Sequence, residues 1–286
     1  MIITGEQGGG QEMKMLYIDC SMGAAGDMLT GALLELLDEE ARAEFIEEFN
    51  GLGLPGIVME TEPSVKCGVE GTRVHIRVNG AEEDEHMHDG HHHHHAHHTH
   101  DEAHSHTHEG DTHTHSHRGI AGVEHIVRSH LEVPENVRED ILNVYGIIAD
   151  AESKAHGVSV TEVHFHEVGT MDAIADVTAV CMLMDRIKPQ KTIASHVNVG
   201  GGTVKCAHGI LPVPAPATAN ILEGIPSYSG DIKSELCTPT GAALLRYYVD
   251  EFGDMPPMSA EHCGHGMGAK DFVRANCVKI TLGEVD

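Results

Sequence analysis

The sequence predicts a mixed α/β (α+β) domain interrupted by a long, disordered, histidine-rich loop, with a topology that the order of elements leaves open. Three observations carry this. Apolar residues recur at strand-like and helix-like spacings, both early and late in the chain. Between the two parts, from Ala81 to His117, the chain is nearly all His, Asp, Glu, Thr, Ser and Gly and has no means of building a core. The remainder of the 286 residues is long enough to bury one. The chain accordingly divides into a disordered extension over 1–13, the first part of the α/β domain over 14–80, the loop over 81–118 and the rest of the domain over 119–286.

Lys14–Asp19 reads as a strand on the strength of Met15, Leu16 and Ile18, and the glycine-rich turn Ser21–Gly26 leads into an apolar helix from Asp27 to Leu37. Ile57–Glu62 and Thr72–Val78 alternate as strands, with Val74, Ile76 and Val78 on one face. After the loop, Gly119–Ser129 and Glu135–Ala155 have helical periodicity; the second starts behind Pro134 and stops near Gly157. Asp172–Ile187 is a third, strongly apolar helix that ends before Pro189. Thr192–Val199 and Cys277–Leu282 read as strands, Ala217–Leu222 and Gly241–Phe252 as helices.

Charge narrows the partners. With 18 Lys+Arg against 45 Asp+Glu, the net charge of −27 repels nucleic acid and anionic membranes and suits cations. Tryptophan is absent and aromatics are 3%, too few for base-stacking surfaces. Any anionic ligand must be held locally, by backbone N–H groups or a metal. The polar N-terminus lacks the apolar core of a signal peptide, and no run approaches the roughly 18 apolar residues that span a bilayer. Seven scattered cysteines without a C-x-x-C pair fit a reducing cytoplasm, which is the expected location.

Sixteen of the 26 histidines fall between His86 and His117, most densely at His91, His92, His93, His94, His95, His97, His98 and His100. Neutral imidazole is a good ligand for nickel, copper and zinc, and a flexible run of imidazoles wraps ions without a preformed cage and with little choice among them. Its internal position and dispersed H-x-H spacing set it apart from an expression tag.

Two further groups are candidates for ordered chemistry. In His164-Phe165-His166-Glu167-Val168-Gly169, an extended backbone places His164 and His166 on one face about 6.6 Å apart along the chain. Glu167 supplies an adjacent carboxylate, and Asp172 and Asp176 follow one helical turn apart; the bland alternative is a solvated strand end before an acidic helix start. Gly200, Gly201 and Gly202 let backbone N–H groups approach a ligand, and Cys206 and His208 share a face if extended; a bulge with a tight turn explains the same residues. Asp19–Asp27, with Gly23 and Gly26, lies between strand and helix, where phosphates often bind, yet lacks a P-loop lysine or a dinucleotide fingerprint. Thr238-Pro239-Thr240-Gly241 opens a helix, with Thr240 as the expected cap.

Taken in order, Asp19-Cys20 with Gly23 and Ala25–Met28, His164–Gly169, Gly200–Gly209, Leu211-Pro212-Val213-Pro214-Ala215-Pro216-Ala217-Thr218 and Thr238–Leu245 resemble the LarC nickel-insertion family from about Met15 onward. The resemblance implies insertion of Ni²⁺ into a pyridinium bisthiocarboxylate mononucleotide, giving the nickel-pincer nucleotide cofactor of lactate racemase and related enzymes. It implies CTP as cosubstrate, released as CMP and pyrophosphate, and a nickel–carbon bond formed with loss of a ring proton. Full-length members continue into a C-terminal part thought to bind the nucleotide, so CTP is expected there, and that part is expected to be a separate partner of this chain. On the motifs, His164, His166, Cys206 and His208 are the expected metal ligands, and Glu167 and Asp172 the expected acid–base groups. Gly23, Gly26, Gly200, Gly201, Gly202, Thr238 and Thr240 are the expected substrate-binding positions. The rival reading is a nickel storage protein or metallochaperone without catalysis.

Overall fold

Alternating burial along four strands creates the main hydrophobic surface. The computed structural model describes residues 13–82 and 119–285; His91–His95, His97, His98 and His100 lie outside the described residues. In chain order the elements are β1 (Met13–Asp19), α1 (Gly26–Leu34), α2 (Glu39–Asn50), β2 (Ile57–Lys66), β3 (Val69–Val78), β4 (Ala81–Glu82), α3 (Ile120–Ser129), α4 (Glu135–His156) and α5 (Met171–Ile187). Then come β5 (Lys191–Ala194), β6 (Val197–Asn198), β7 (Thr203–Cys206), β8 (Gly209–Pro212), α6 (Pro216–Ile221), β9 (Ser227–Tyr228), α7 (Pro239–Tyr248), β10 (Glu251–Phe252), β11 (Ser259–Met267) and β12 (Cys277–Val285).

One mixed sheet runs β10-β5-β1-β12-β11-β3-β2, with β4 beside β3. Strands from before and after the histidine tract thus form a single sheet, and the expected mixed α/β class holds. Leu16, Ile18, Val74, Ile76, Val278, Ile280 and Leu282 bury one face beneath α1 and α5. Alternate positions such as Tyr17, Asp19, His265 and Lys279 stay at least partly exposed on the other face. Helix α1 comes close to β11, where a Cβ added to Gly266 would lie 1.7 Å from the Met28 carbonyl oxygen. No helix among the described residues is long and apolar enough to cross a membrane.

Several boundaries differ from the sequence reading. The expected strand Thr192–Val199 breaks at Ser195, whose N–H donates to the Ile18 carbonyl (2.9 Å) while its Oγ accepts from the Cys20 N–H (2.8 Å); β6 then pairs in parallel with β9 in a separate sheet. The expected helix Gly241–Phe252 ends at Tyr248, because Asp250 is tied to β5 through its N–H to the Thr192 carbonyl (2.9 Å) and its carboxylate to the Thr192 N–H (2.8 Å). Glu251–Phe252 is instead an edge strand parallel to β5. The first helix ends at Leu34, three residues before its expected limit. Helix α2 had no clear apolar stripe; the Asp38 carboxylate caps it, accepting from the Ala41 N–H, and it buries Phe45 and Phe49.

Candidate metal centre

Helix α4 places Glu152 and His156 one turn apart near its end, with Glu152 Oε2 and His156 Nε2 3.4 Å apart. Gly157, in the left-handed conformation at φ 66°, terminates the helix and turns the chain back. Phe165 anchors the returning segment: its buried ring lies 6.2 Å from that of Tyr145 on α4, whose hydroxyl donates to the Val168 carbonyl (3.2 Å). The backbone bends at His166 (φ −95°, ψ −91°), so the extended geometry assumed for His164 and His166 is not kept through that residue. His164 is exposed and His166 half-buried.

The hairpin β7–β8 brings a second group to this bend. His208, in its turn, has its ring centroid 4.4 Å from that of His166 and 4.7 Å from that of His156. The Ala207 N–H donates to Glu167 Oε1 (2.8 Å), tying the hairpin tip to the His166–Glu167 bend. Cys206 closes β7 from within the hairpin, its Sγ 3.5 Å from the Gly209 carbonyl oxygen. Two predicted ligands, His166 and His208, therefore meet, with Glu167 and Cys206 on the same elements. The sequence reading missed Glu152 and His156, although Glu and His at (i, i+4) in the last turns of a helix were a visible signal. Among the described residues no three donors already converge on a single ion position. The imidazoles instead pack ring against ring, His208 against both His156 and His166.

Electrostatics favour the imidazoles as first ligands. Burial pushes the Glu152 carboxyl up; Glu167 adds to the rise, while His156 and His208 oppose it. Burial likewise raises the Cys206 thiol, with Glu167, Glu235 and Glu152 adding to it and the His208 N–H opposing. Cys206 is thus held as a thiol and must lose its proton before it can ligate.

The glycine loops have internal duties. The Gly200 N–H donates to Asn198 Oδ1 (3.0 Å), the Gly201 N–H to the Ser234 carbonyl (3.1 Å) and the Gly23 N–H to the Cys20 carbonyl (2.9 Å). Three donors that the sequence offered to a phosphate are therefore already engaged. Gly202 (φ 80°) leads into the hairpin, and Gly26 is the first residue of α1. Thr238, not Thr240, caps α7 by accepting from the Gly241 N–H (3.1 Å); Thr240 Oγ1 lies 3.0 Å from Thr238 Oγ1. Asp172 faces other carboxylates: with Asp27 it adds to the burial that pushes the Asp176 carboxyl well above the usual range.

A mixed α/β chain that gathers three imidazoles, two carboxylates and a thiol at one exposed edge has the donor set of a transition-metal-handling protein. The chain belongs to the nickel insertion protein family, whose model it matches over residues 16–286. It is 40% identical over 95% of its length to a pyridinium-3,5-bisthiocarboxylic acid mononucleotide nickel insertion protein of Clostridium kluyveri, covering 62% of that protein. A protein with the same description from Desulfitobacterium hafniense is 36% identical over 96% of this chain and 59% of its own length. A putative nickel insertion protein of Rhodopirellula baltica is 33% identical over 95% of this chain and 60% of its own length. The chain thus spans about three fifths of the length of these relatives. No solved structure matches it.

Proposed function

We propose that the chain holds Ni²⁺ at His156, His166 and His208 and inserts it into the pyridinium-3,5-bisthiocarboxylic acid mononucleotide for which its relatives are named. The observation that carries this reading is the meeting of three imidazoles from three separate elements beside Glu152 and Glu167. Imidazole is a borderline ligand: it binds nickel firmly enough to position it and yields to the softer sulfurs of a thiocarboxylate. The exposed edge gives those sulfurs access. Insertion breaks a ring C–H bond; its electron pair forms the nickel–carbon bond, and Glu167 takes the proton. Glu152, whose carboxyl is pushed up, is next to receive it. CTP is the proposed cosubstrate, on the family resemblance, bound by a C-terminal part of the kind full-length members carry. A cytoplasmic setting suits a thiol-bearing site of this kind.

The test incubates the purified chain with nickel, CTP and the mononucleotide, with and without the C-terminal part of a relative, and follows product by mass spectrometry. Parent protein with that part forms the nickel adduct, while Glu167→Gln retains nickel and slows insertion by about 10²-fold or more. Nickel bound without product in either arm would favour the storage reading, to which the histidine tract is equally suited.

A further inference from the structure

The open face of the sheet carries a cleft with an unusual lining. At the end of β1, a cleft of about 290 Å³ is lined by Asp19, Ser21, His265, Arg274 and Lys279 among others. Strand register sets its floor: Asp19 pairs with Lys279 across β1–β12, and Lys279 with His265 across β11–β12, so the three side chains stand in one row on one face. In a chain of net charge −27, a concave place whose lining holds two cations and an imidazole against one carboxylate, Asp19, is a local excess of cationic groups. Lys279 has no ion-pair partner among the described residues. Arg274 has only a 3.4 Å pair with Asp231, both side chains more than half exposed, which costs little to exchange for another anion.

The cleft is joined to the imidazole group by a short run of backbone. The Ser21 carbonyl accepts from Asn198 Nδ2 (2.8 Å), and Asn198 Oδ1 accepts from the Gly200 N–H. Gly200 bridges to Glu235, whose charge acts on Cys206. The loop 198–206 thus touches the cleft-lining Ser21 at one end and carries Cys206 of the imidazole group at the other.

Resting on the reading above for its metal end, we propose that Arg274, Lys279 and His265 bind the phosphate monoester of the mononucleotide, with the Asp19 carboxylate accepting from the ribose hydroxyls. Mixed charge suits a phosphoribosyl group: the cations pair with phosphate oxygens, and the carboxylate, which already accepts from the Ser21 N–H (2.9 Å), has further acceptor capacity for hydroxyls. The backbone N–H groups of the glycine loops are then not needed as the phosphate cradle.

Nicotinic acid mononucleotide and its dephosphorylated riboside serve as probes, titrated calorimetrically into the parent chain and into R274A/K279A, two partly or fully exposed positions. The parent should bind the mononucleotide at least tenfold more tightly than the riboside, and the double variant should lose that difference while its nickel affinity is unchanged. Equal binding of both probes by the parent, no binding of the mononucleotide, or an undiminished phosphate preference in the double variant would overturn the assignment. A preserved phosphate preference in the parent, with no nickel insertion even when CTP and the C-terminal part of a relative are supplied, would instead sink the proposed function and leave the cleft standing.

Discussion

At the scale of single residues, Glu167 and Asp176 show how the same group changes meaning with its surroundings. Glu167 was legible as a carboxylate beside H-x-H; its second duty, holding the Ala207 N–H at 2.8 Å, was not, because that contact joins residues 40 apart in sequence. Asp176 was legible only as one of two spaced acids. Folding sets it among Asp172 and Asp27, and burial with their charges pushes its carboxyl well above the ordinary range. The linkage has a definite sign. A carboxyl raised in the folded state binds its proton more tightly there than when unfolded, so its favourable contribution is full below the unfolded value and is lost as pH rises through the folded one. Asp176→Asn should therefore flatten the fall in stability above the ordinary carboxylate range, with its gain over the parent growing toward neutral pH. Melting temperature against pH for both proteins checks this, and parallel curves would show that Asp176 is not held protonated.

Among the elements, those with a regular apolar period were readable and those defined by partners were not. The periodicity of α4 and α5 gave those elements to within a residue at each end and the alternation of β3 gave all but its first three residues, whereas Ser259–Met267 hides a central strand behind His, Cys and two glycines. Its apolar support comes from α1 and its register from β12, neither of which is local. The metal centre divides in the same way. His166 and His208 carried motif signals, while Glu152 and His156 were not singled out and join the group only where the hairpin meets the end of α4. The loop after β1 also acquires a different role from the one its glycines suggested. At Gly23, φ is 81° and an added Cβ would lie 1.9 Å from the Leu236 carbonyl oxygen, so this glycine serves the packing of Ala24 against Cys237. Gly23→Ala should destabilise the fold by about 2–4 kcal/mol through backbone strain and displacement, measured by denaturant midpoint. A loss below about 1 kcal/mol would mean that the loop yields easily and the close approach is not required.

At the scale of the whole molecule, the histidine tract reads from composition alone as a segment suited to binding ions, and it lies outside the described residues. The ordered centre depends on long-range placement: Gly119, where the described chain resumes after the tract, has its Cα so near Val163 that an added Cβ would lie 2.8 Å from that residue's carbonyl oxygen. Gly119 is therefore held against Val163, the residue before His164. The most direct test is nickel titration of a chain lacking 83–118, with and without His156→Ala, His166→Ala and His208→Ala together. The account predicts one tight equivalent in the shortened parent and a loss of affinity of roughly tenfold or more in the triple variant, since even groups behind the ligands cost that much. A triple variant that binds nickel as tightly as the shortened parent would place the centre elsewhere and contradict the account.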